Sequence, residues 1–288
     1  MSAPAAPGEP GPITLHCAEV WGGNAAVNTA VSTTGLDVWV YSEPYAGAAG
    51  GGDVYYLTLC MQGCLARFAL ADVSGHGEGV DALARTLRRQ VRRNVNRADQ
   101  AGIARALNRS FGELARMGQY ATALLATYDA GSDHLIVCNA GHPRPMLRRA
   151  GQAGWAPIDA GSPAAVTDAT GGASGLPLGV IDDTDYAQFA IPLAPGDEVM
   201  MYTDALIEGR GADGRQLGED GLADLLDGVA VWATDRLIPQ TLQRLRQFRA
   251  GGDPEDDLTV IAMRHNAAGP LRLNLLERAR TLSRLLGL

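Results

Sequence analysis

Four aspartates, far apart along the chain and each inside its own short motif, constrain the fold more than any other feature. They are Asp53 in Gly51-Gly52-Asp53, Asp72 in Asp72-Val73-Ser74-Gly75-His76-Gly77, Asp204 in Tyr202-Thr203-Asp204-Ala205, and Asp256 in Asp256-Asp257-Leu258-Thr259. Each stands at or beside a stretch that reads as a β-strand. A carboxylate is costly to bury unpaired, so a fold that gathers several such strand ends needs a cation to hold them. Oxygen ligands without Cys or His partners suit Mg2+ or Mn2+ rather than zinc. The pattern points first to a hydrolase with two metals.

The intervening sequence supplies the strands. Residues 36–41, 54–60, 65–73, 122–128, 134–139, 145–148, 186–191, 198–202 and 258–264 are rich in β-formers and bounded by turn chemistry. Two helices are expected after Asp72. One spans 80–97 with Leu83, Leu87 and Val91 on one face, and the other spans 103–117 with Leu107, Phe111 and Leu114 at helical spacing. Helices near 221–226 and 238–248 precede the last strand, with Pro239 suited to a first helical turn. Residues 160–175 are Gly-, Ala- and Ser-rich and read as a mobile loop. Antiparallel hairpins with helices in separate blocks argue for an α+β fold. The organisation read from this is a disordered tail over 1–12, one folded domain over 13–266, and an amphipathic C-terminal helix over 267–288. The Leu/Arg pattern of that helix suits either dimerisation or packing on its own domain.

Composition removes several function classes. The net charge of −8 argues against general nucleic-acid binding. The arginines of the 80–97 helix read as a solvated face with local acidic partners. All 24 basic residues are arginine, which rules out a lysine nucleophile. Cys17, Cys60, Cys64 and Cys138 do not form a disulfide scaffold and read as small buried residues. The first dozen residues lack the basic start and apolar run of a signal peptide. No apolar run approaches the ~20 residues of a membrane span. A cytoplasmic protein without membrane or nucleic-acid partners is expected.

In chemical terms, Asp72 can bridge two cations while a nearby carbonyl, that of Val73, ligates one. Asp204 and Asp256 can complete the first shell, and Asp53, or a water it holds, can serve the second. Two such metals ~4 Å apart hold and activate a water for in-line attack on phosphorus.

The ordered motif set is similar to that of the bacterial serine phosphatases of the PP2C type, the subgroup of the sporulation phosphatase SpoIIE and the stress-response phosphatases of sigma-factor control. The resemblance runs from about Gly51 to Arg264. It rests on Gly51-Gly52-Asp53, Ala71 through Gly77, Asn139-Ala140-Gly141-His142-Pro143, Leu176 through Val180, Pro195-Gly196-Asp197 with Tyr202-Thr203-Asp204, and Asp256 through Thr259. It implies a sandwich of two antiparallel sheets flanked by helices, two Mn2+ or Mg2+ ions at one end, and hydrolysis of phosphoserine or phosphothreonine without a covalent phosphoenzyme. By position it implies Asp72 as bridging ligand with the Val73 carbonyl, Asp204 and Asp256 as ligands of one metal, and Asp53 as the acidic group near the other. Asp257 is then a neighbour, and Gly75 and His76 organise the loop. His142 takes a structural turn role. The implied partner is a phosphorylated regulator such as an anti-sigma-factor antagonist. No phosphate-binding residue is assigned, Arg144 and Arg210 being the candidates.

The chain departs from the pattern at two places. Tyr56 stands where an acidic residue usually follows the first motif, and Ala205 stands where a glycine usually follows Asp204. The first bears on one metal site, and the second matters if positive φ is required there. With only a short stretch ahead of the first motif, no sensor domain is expected, and regulation is expected from a separate partner or from the helices at 80–118. Two other readings compete. Cys138 and Arg144 have the Cys-x5-Arg spacing of cysteine-based phosphatases, but Pro145 and strand-like sequence follow instead of a helix. A pseudophosphatase would keep the fold as a partner-binding module.

Overall fold

The computed structural model describes residues 13–14, 18–60, 64–75, 78–97, 99–112, 118–167, 175–229, 234–250, 255–269, 283 and 286. The expected 1–12 tail, His76 and nearly all of the expected C-terminal helix lie outside these.

Two stacked sheets form the centre. In chain order the elements are β1 (Ile13–Thr14), β2 (Ala18–Gly23), β3 (Val27–Ser32), β4 (Leu36–Glu43), β5 (Val54–Cys60), β6 (Leu65–Val73), α1 (Glu78–Asn94), α2 (Gln100–Gly112), β7 (Ala121–Asp129), β8 (His134–Ala140), β9 (Met146–Arg148), β10 (Ala156–Pro157), β11 (Val166–Thr167), β12 (Gln188–Pro192), β13 (Glu198–Tyr202), α3 (Ala205–Glu208), α4 (Gly218–Asp227), α5 (Thr234–Phe248) and β14 (Leu258–His265). One sheet runs β1-β3-β4-β14-β13-β9-β10 and the other β11-β12-β8-β7-β6-β5-β2. Neighbours are antiparallel apart from the short parallel β1–β3 pair. The architecture is the expected α+β sandwich.

The strands are apolar on both faces because each face meets another layer. Tyr55, Leu57, Leu70, Leu124, Val40, Met201 and Ile261 fill the space between the sheets. On the outer face of the second sheet, Val54, Tyr56, Ala69, Ala71 and Leu125 pack against Leu83, Leu87, Val91, Leu107 and Phe111 of α1 and α2. On the outer face of the first sheet, Met200, Tyr202, Val260 and Ala262 pack against α4 and α5 through Leu222, Leu226, Leu237 and Leu245. Burying an apolar side chain on this scale contributes about 1.5–3 kcal/mol each. The polar face of α1 carries the expected local pairing at one point, where Arg85 meets Asp81 one turn away at 2.6 Å.

Several expectations need correction. β2 and β3 were not anticipated, because Ala18–Gly23 is rich in glycine and Val27–Ser32 is half polar. The second helix starts a turn earlier than the apolar spacing suggests, at Gln100. Its backbone N–H and that of Ala101 donate to Gln188 Oε1, 2.8 and 3.2 Å away, which anchors the helix start on β12. Pro239 sits inside α5 rather than in its first turn, since the helix begins at Thr234. The 160–175 segment contains β11, paired with β12. At the far end of the chain, Leu286 is buried against Ile136 and Ala190, so the tail packs on its own sheet at that point.

Candidate metal centre

Side chains alternate across a strand, and that alternation builds the site. The inner-face stripe of β5 (Leu57, Tyr55) continues to Asp53, and that of β6 (Phe68, Leu70) continues to Asp72. Across the gap, the stripes of β13 (Met201), β14 (Ile261) and β4 (Val40) continue to Thr203, Thr259 and Ser42. At one end of the sandwich the apolar interior therefore becomes polar on both sheets at once. Asp53 and Thr259 face each other across that end.

Asp53 is 2% exposed. The Thr203 hydroxyl donates to its Oδ2 at 2.9 Å. The same hydroxyl accepts from the Thr259 backbone N–H at 2.9 Å, and Ser42 and Thr259 share a hydroxyl contact of 2.9 Å. Thr203 thus ties the Gly-Gly-Asp, Tyr-Thr-Asp and Asp-Asp-Leu-Thr motifs together. Neither threonine was singled out from the sequence, though both sit inside the motifs, one residue before Asp204 and three after Asp256.

Asp72 lies opposite Thr122 of β7. Asp204 adopts helical φ/ψ (−60°, −27°) and leads directly into α3. Ala205 opens that helix and is not among the positive-φ residues, so alanine there imposes no strain. Tyr56 points to the opposite face from Asp53 and is fully buried against the helices, where it contributes packing.

Asp257 acts on the loop. Its Oδ1 accepts from the Tyr45 backbone N–H at 2.7 Å and its Oδ2 from that of Gly52 at 2.5 Å. Its own N–H donates to Asp256 Oδ1 at 2.8 Å. The glycines permit this approach: a Cβ on Gly51 would lie 2.2 Å from the Asp257 oxygens, and one on Gly52 would lie 2.9 Å from the Val73 carbonyl oxygen. Gly75 takes φ +105°, a conformation that favours glycine.

The carboxyls at this end raise one another. Burial, then the Asp72 charge, raises the Asp53 carboxyl well above the usual range. Burial, then Asp204, Asp256 and Asp257, pushes Asp72 up to about 8. Burial, then Glu208 and Asp256, pushes Asp204 up to about 6. Glu208, at the end of α3, is a further carboxylate of this group that the sequence reading missed. Among the described residues no three carboxylate, imidazole or thiolate side chains close into a metal cage. The oxygen-only donor set, with the Val73 carbonyl against Gly52, nonetheless fits a hard divalent cation that keeps part of its water shell.

The remaining candidates have other work. Asn139 and His142 exchange two hydrogen bonds of 2.8 Å through side chain and backbone. His142 Nδ1 lies 2.8 Å from Thr122 Oγ1. Burial holds this imidazole down at about 3, so it is neutral at pH 7. Arg144 is bound to Glu219 at 2.6 and 2.9 Å and to Asp159 at 2.9 Å, which takes it away from the acidic cluster. Cys138 is fully buried on the helix side of its sheet, where no nucleophile could meet a substrate.

The family model for Stage II sporulation protein E (SpoIIE) matches residues 65–266. The chain belongs to the SpoIIE family. Among solved structures, this SpoIIE-family chain is similar to the RsbU and RsbW domains of Rv1364c from Mycobacterium tuberculosis, with 27% identity over 91% of this chain and 70% of that one and a TM-score of 0.68. It shares its fold with the PP2C phosphatase domain and a regulatory-domain fragment of SpoIIE from Bacillus subtilis (16% identity, 83% and 70% coverage, TM-score 0.66). It also shares it with RsbX, crystallised with magnesium (15% identity, 83% and 99% coverage, TM-score 0.57). The fold is that of PP2C-type phosphatase domains. Among the described residues no helix is long and apolar enough to cross a membrane.

Proposed function

We propose that this chain is a metal-dependent protein serine/threonine phosphatase acting on a phosphorylated regulatory protein, such as an anti-sigma-factor antagonist. The observation that carries this reading is the gathering of Asp53, Asp72 and Asp204 at one end of the sandwich, with carboxyls raised by burial and by each other's charge. Two Mn2+ or Mg2+ ions would be held by Asp72, the Val73 carbonyl, Asp204 and Asp256, with Asp53 near the second. The magnesium in RsbX supports a divalent cation, and the pairing of RsbU and RsbW domains in the Mycobacterium tuberculosis protein supports a regulatory partner. Bound cations of this kind supply Lewis acidity toward phosphoryl oxygens and make water a nucleophile near neutral pH.

The chain's own residues do the positioning. Thr203 holds Asp53 with one hydroxyl while accepting from Thr259, which links the two sheets at the site. Asp257 fixes the glycine loop beside Asp256. Leu286, packed on its own sheet, favours a tail that folds back on the domain.

Hydrolysis of a phosphoserine peptide with Mn2+, with Mg2+ and with EDTA tests the reading. Turnover should require a divalent ion and vanish in EDTA. Cys138→Ala should keep turnover within about threefold and cost about 1 kcal/mol of stability as a small core truncation. Turnover that persists in EDTA and is lost in Cys138→Ala would overturn the metal mechanism. No turnover with either metal would leave a partner-binding module.

A further inference from the structure

Beside the acidic cluster lies a cavity of about 340 Å³ lined by Glu208, Arg210, Gln216, Arg249, Glu255 and Asp256. Asp256 also lines a second cavity, of about 480 Å³, which extends along the glycine loop of residues 48–52. The two cavities thus meet at a residue proposed to hold metal.

Arg249 follows α5 directly and reaches back across the end of α3. Its Nη2 donates to the carbonyl of Ala205, the residue after Asp204. This approach depends on Gly209, whose added Cβ would lie 2.3 Å from Arg249 Nε. The guanidinium therefore sits with its Nε/Nη2 edge at the α3–Gly209 corner, oriented by the neutral Ala205 carbonyl. The other N–H donors of its rigid fork remain available in a geometry that matches phosphate oxygens. Burial lowers its pKa, and Glu255 acts in the other direction. A half-buried cation so placed is a receptor for an anion. Among the described residues the other positive group lining this cavity is Arg210, held by the Gly214 carbonyl at 2.9 Å.

We propose that Arg249 binds the phosphoryl group of the substrate, and that this cavity is where the phosphoester enters. The proposal rests on the phosphatase reading above. Its logic is charge balance. A phosphate dianion approaching Asp204, Glu208 and Asp256 is repelled unless positive charge meets it. Cations held by the aspartates meet it from one side. Arg249 meets it from the other and fixes its orientation with charge-assisted hydrogen bonds.

The test measures KM and kcat for a phosphoserine peptide, and calorimetric affinity for inorganic phosphate and for Mn2+, in wild type, Arg249→Gln, Arg249→Lys and Gly209→Ala. Gly209→Ala is the variant that separates binding from folding. Gly209 has φ −50°, which alanine adopts without strain, and the new methyl displaces only the flexible end of Arg249. Arg249→Gln and Gly209→Ala should each weaken phosphate affinity and raise KM by about tenfold or more. Arg249→Lys should fall between them and wild type, and Mn2+ affinity should stay unchanged in all. Unchanged KM and phosphate affinity in Arg249→Gln and Gly209→Ala would overturn the assignment. If wild type proves to have no turnover, the phosphatase reading fails by itself. The calorimetry then still decides the site: phosphate binding lost in Arg249→Gln upholds it, and no phosphate binding by wild type overturns it.

Discussion

Asp72→Asn should abolish metal-dependent hydrolysis and, in EDTA, make the protein more stable than wild type. The two effects have one cause. Asp72 is half-buried opposite Thr122 and close to Asp204, Asp256 and Asp257, and its carboxyl is pushed from 3.8 to about 8. A carboxyl whose pKa is higher folded than unfolded favours the folded state only while it is protonated in both. Stability is therefore full below pH 3.8 and is lost as pH rises from there to about 8. Asparagine removes that charge and the loss with it. At pH 7.5 without metal the gain should be on the order of 2 kcal/mol, after discounting for relaxation around the site. With Mn2+ the order should invert, because wild type gains binding free energy that the variant lacks. Turnover should fall by about 10³-fold or more. Urea unfolding from pH 5 to 8, in EDTA and in Mn2+, measures both effects. His142 gives an opposite background in both proteins, since an imidazole lowered to about 3 loses stability as pH falls below 6.5. The variant-minus-wild-type difference isolates Asp72. A variant less stable than wild type in EDTA would show that Asp72 is not repelled by its neighbours.

The second large effect is expected at Gly51→Ala, where nothing chemical is removed. The added methyl would fall 2.2 Å from both Asp257 oxygens. Those oxygens are fixed by the backbone N–H groups of Tyr45 and Gly52, and the Asp257 side chain is too short to swing aside while keeping them. Either the carboxylate leaves both donors or the loop moves. Losing two charge-assisted hydrogen bonds, the Tyr45 donor exposed and the Gly52 donor part-buried, costs about 2–3 kcal/mol. A shift of the loop displaces Asp53 and Asp256 together, and a displacement near 1 Å reduces turnover by about 10²-fold. Gly79→Ala is the control, because its new Cβ meets nothing within 4 Å. Stability and Mn2+ affinity measured for the pair should diverge sharply. Wild-type behaviour of Gly51→Ala would mean that Asp257 does not hold the loop.

Much of this molecule is legible in one dimension. The strands with strong β-former content were located to within a few residues, and the four aspartate motifs lie at or beside their ends. The strands β2, at the edge of its sheet, and β3, between β1 and β4, were not legible. An edge strand can take its order from a partner's backbone, and here Ala18–Gly23 pairs with β5 although its own side chains carry little apolar signal. The same holds for helix ends. Gln100 begins α2 because Gln188 receives its N–H, a partner 88 residues away.

The candidate site divides along the same line. The identities of Asp53, Asp72, Asp204 and Asp256, and the glycines beside them, follow from short-range patterns, because a strand end and a tight loop are local features. The threonine latch through Thr203, the extra carboxylate of Glu208 and the guanidinium of Arg249 do not. Arg249 is 40 residues beyond Gly209 in the chain, and nothing near it in sequence distinguishes it from the arginines of α5 just before it. Sequence by itself marked four aspartates as candidate ligands and set strands beside them. Only the tertiary structure decided which groups share one low-dielectric corner. Charge interactions act through space, and their strength depends on burial and distance that the packing of the two sheets and α5 sets.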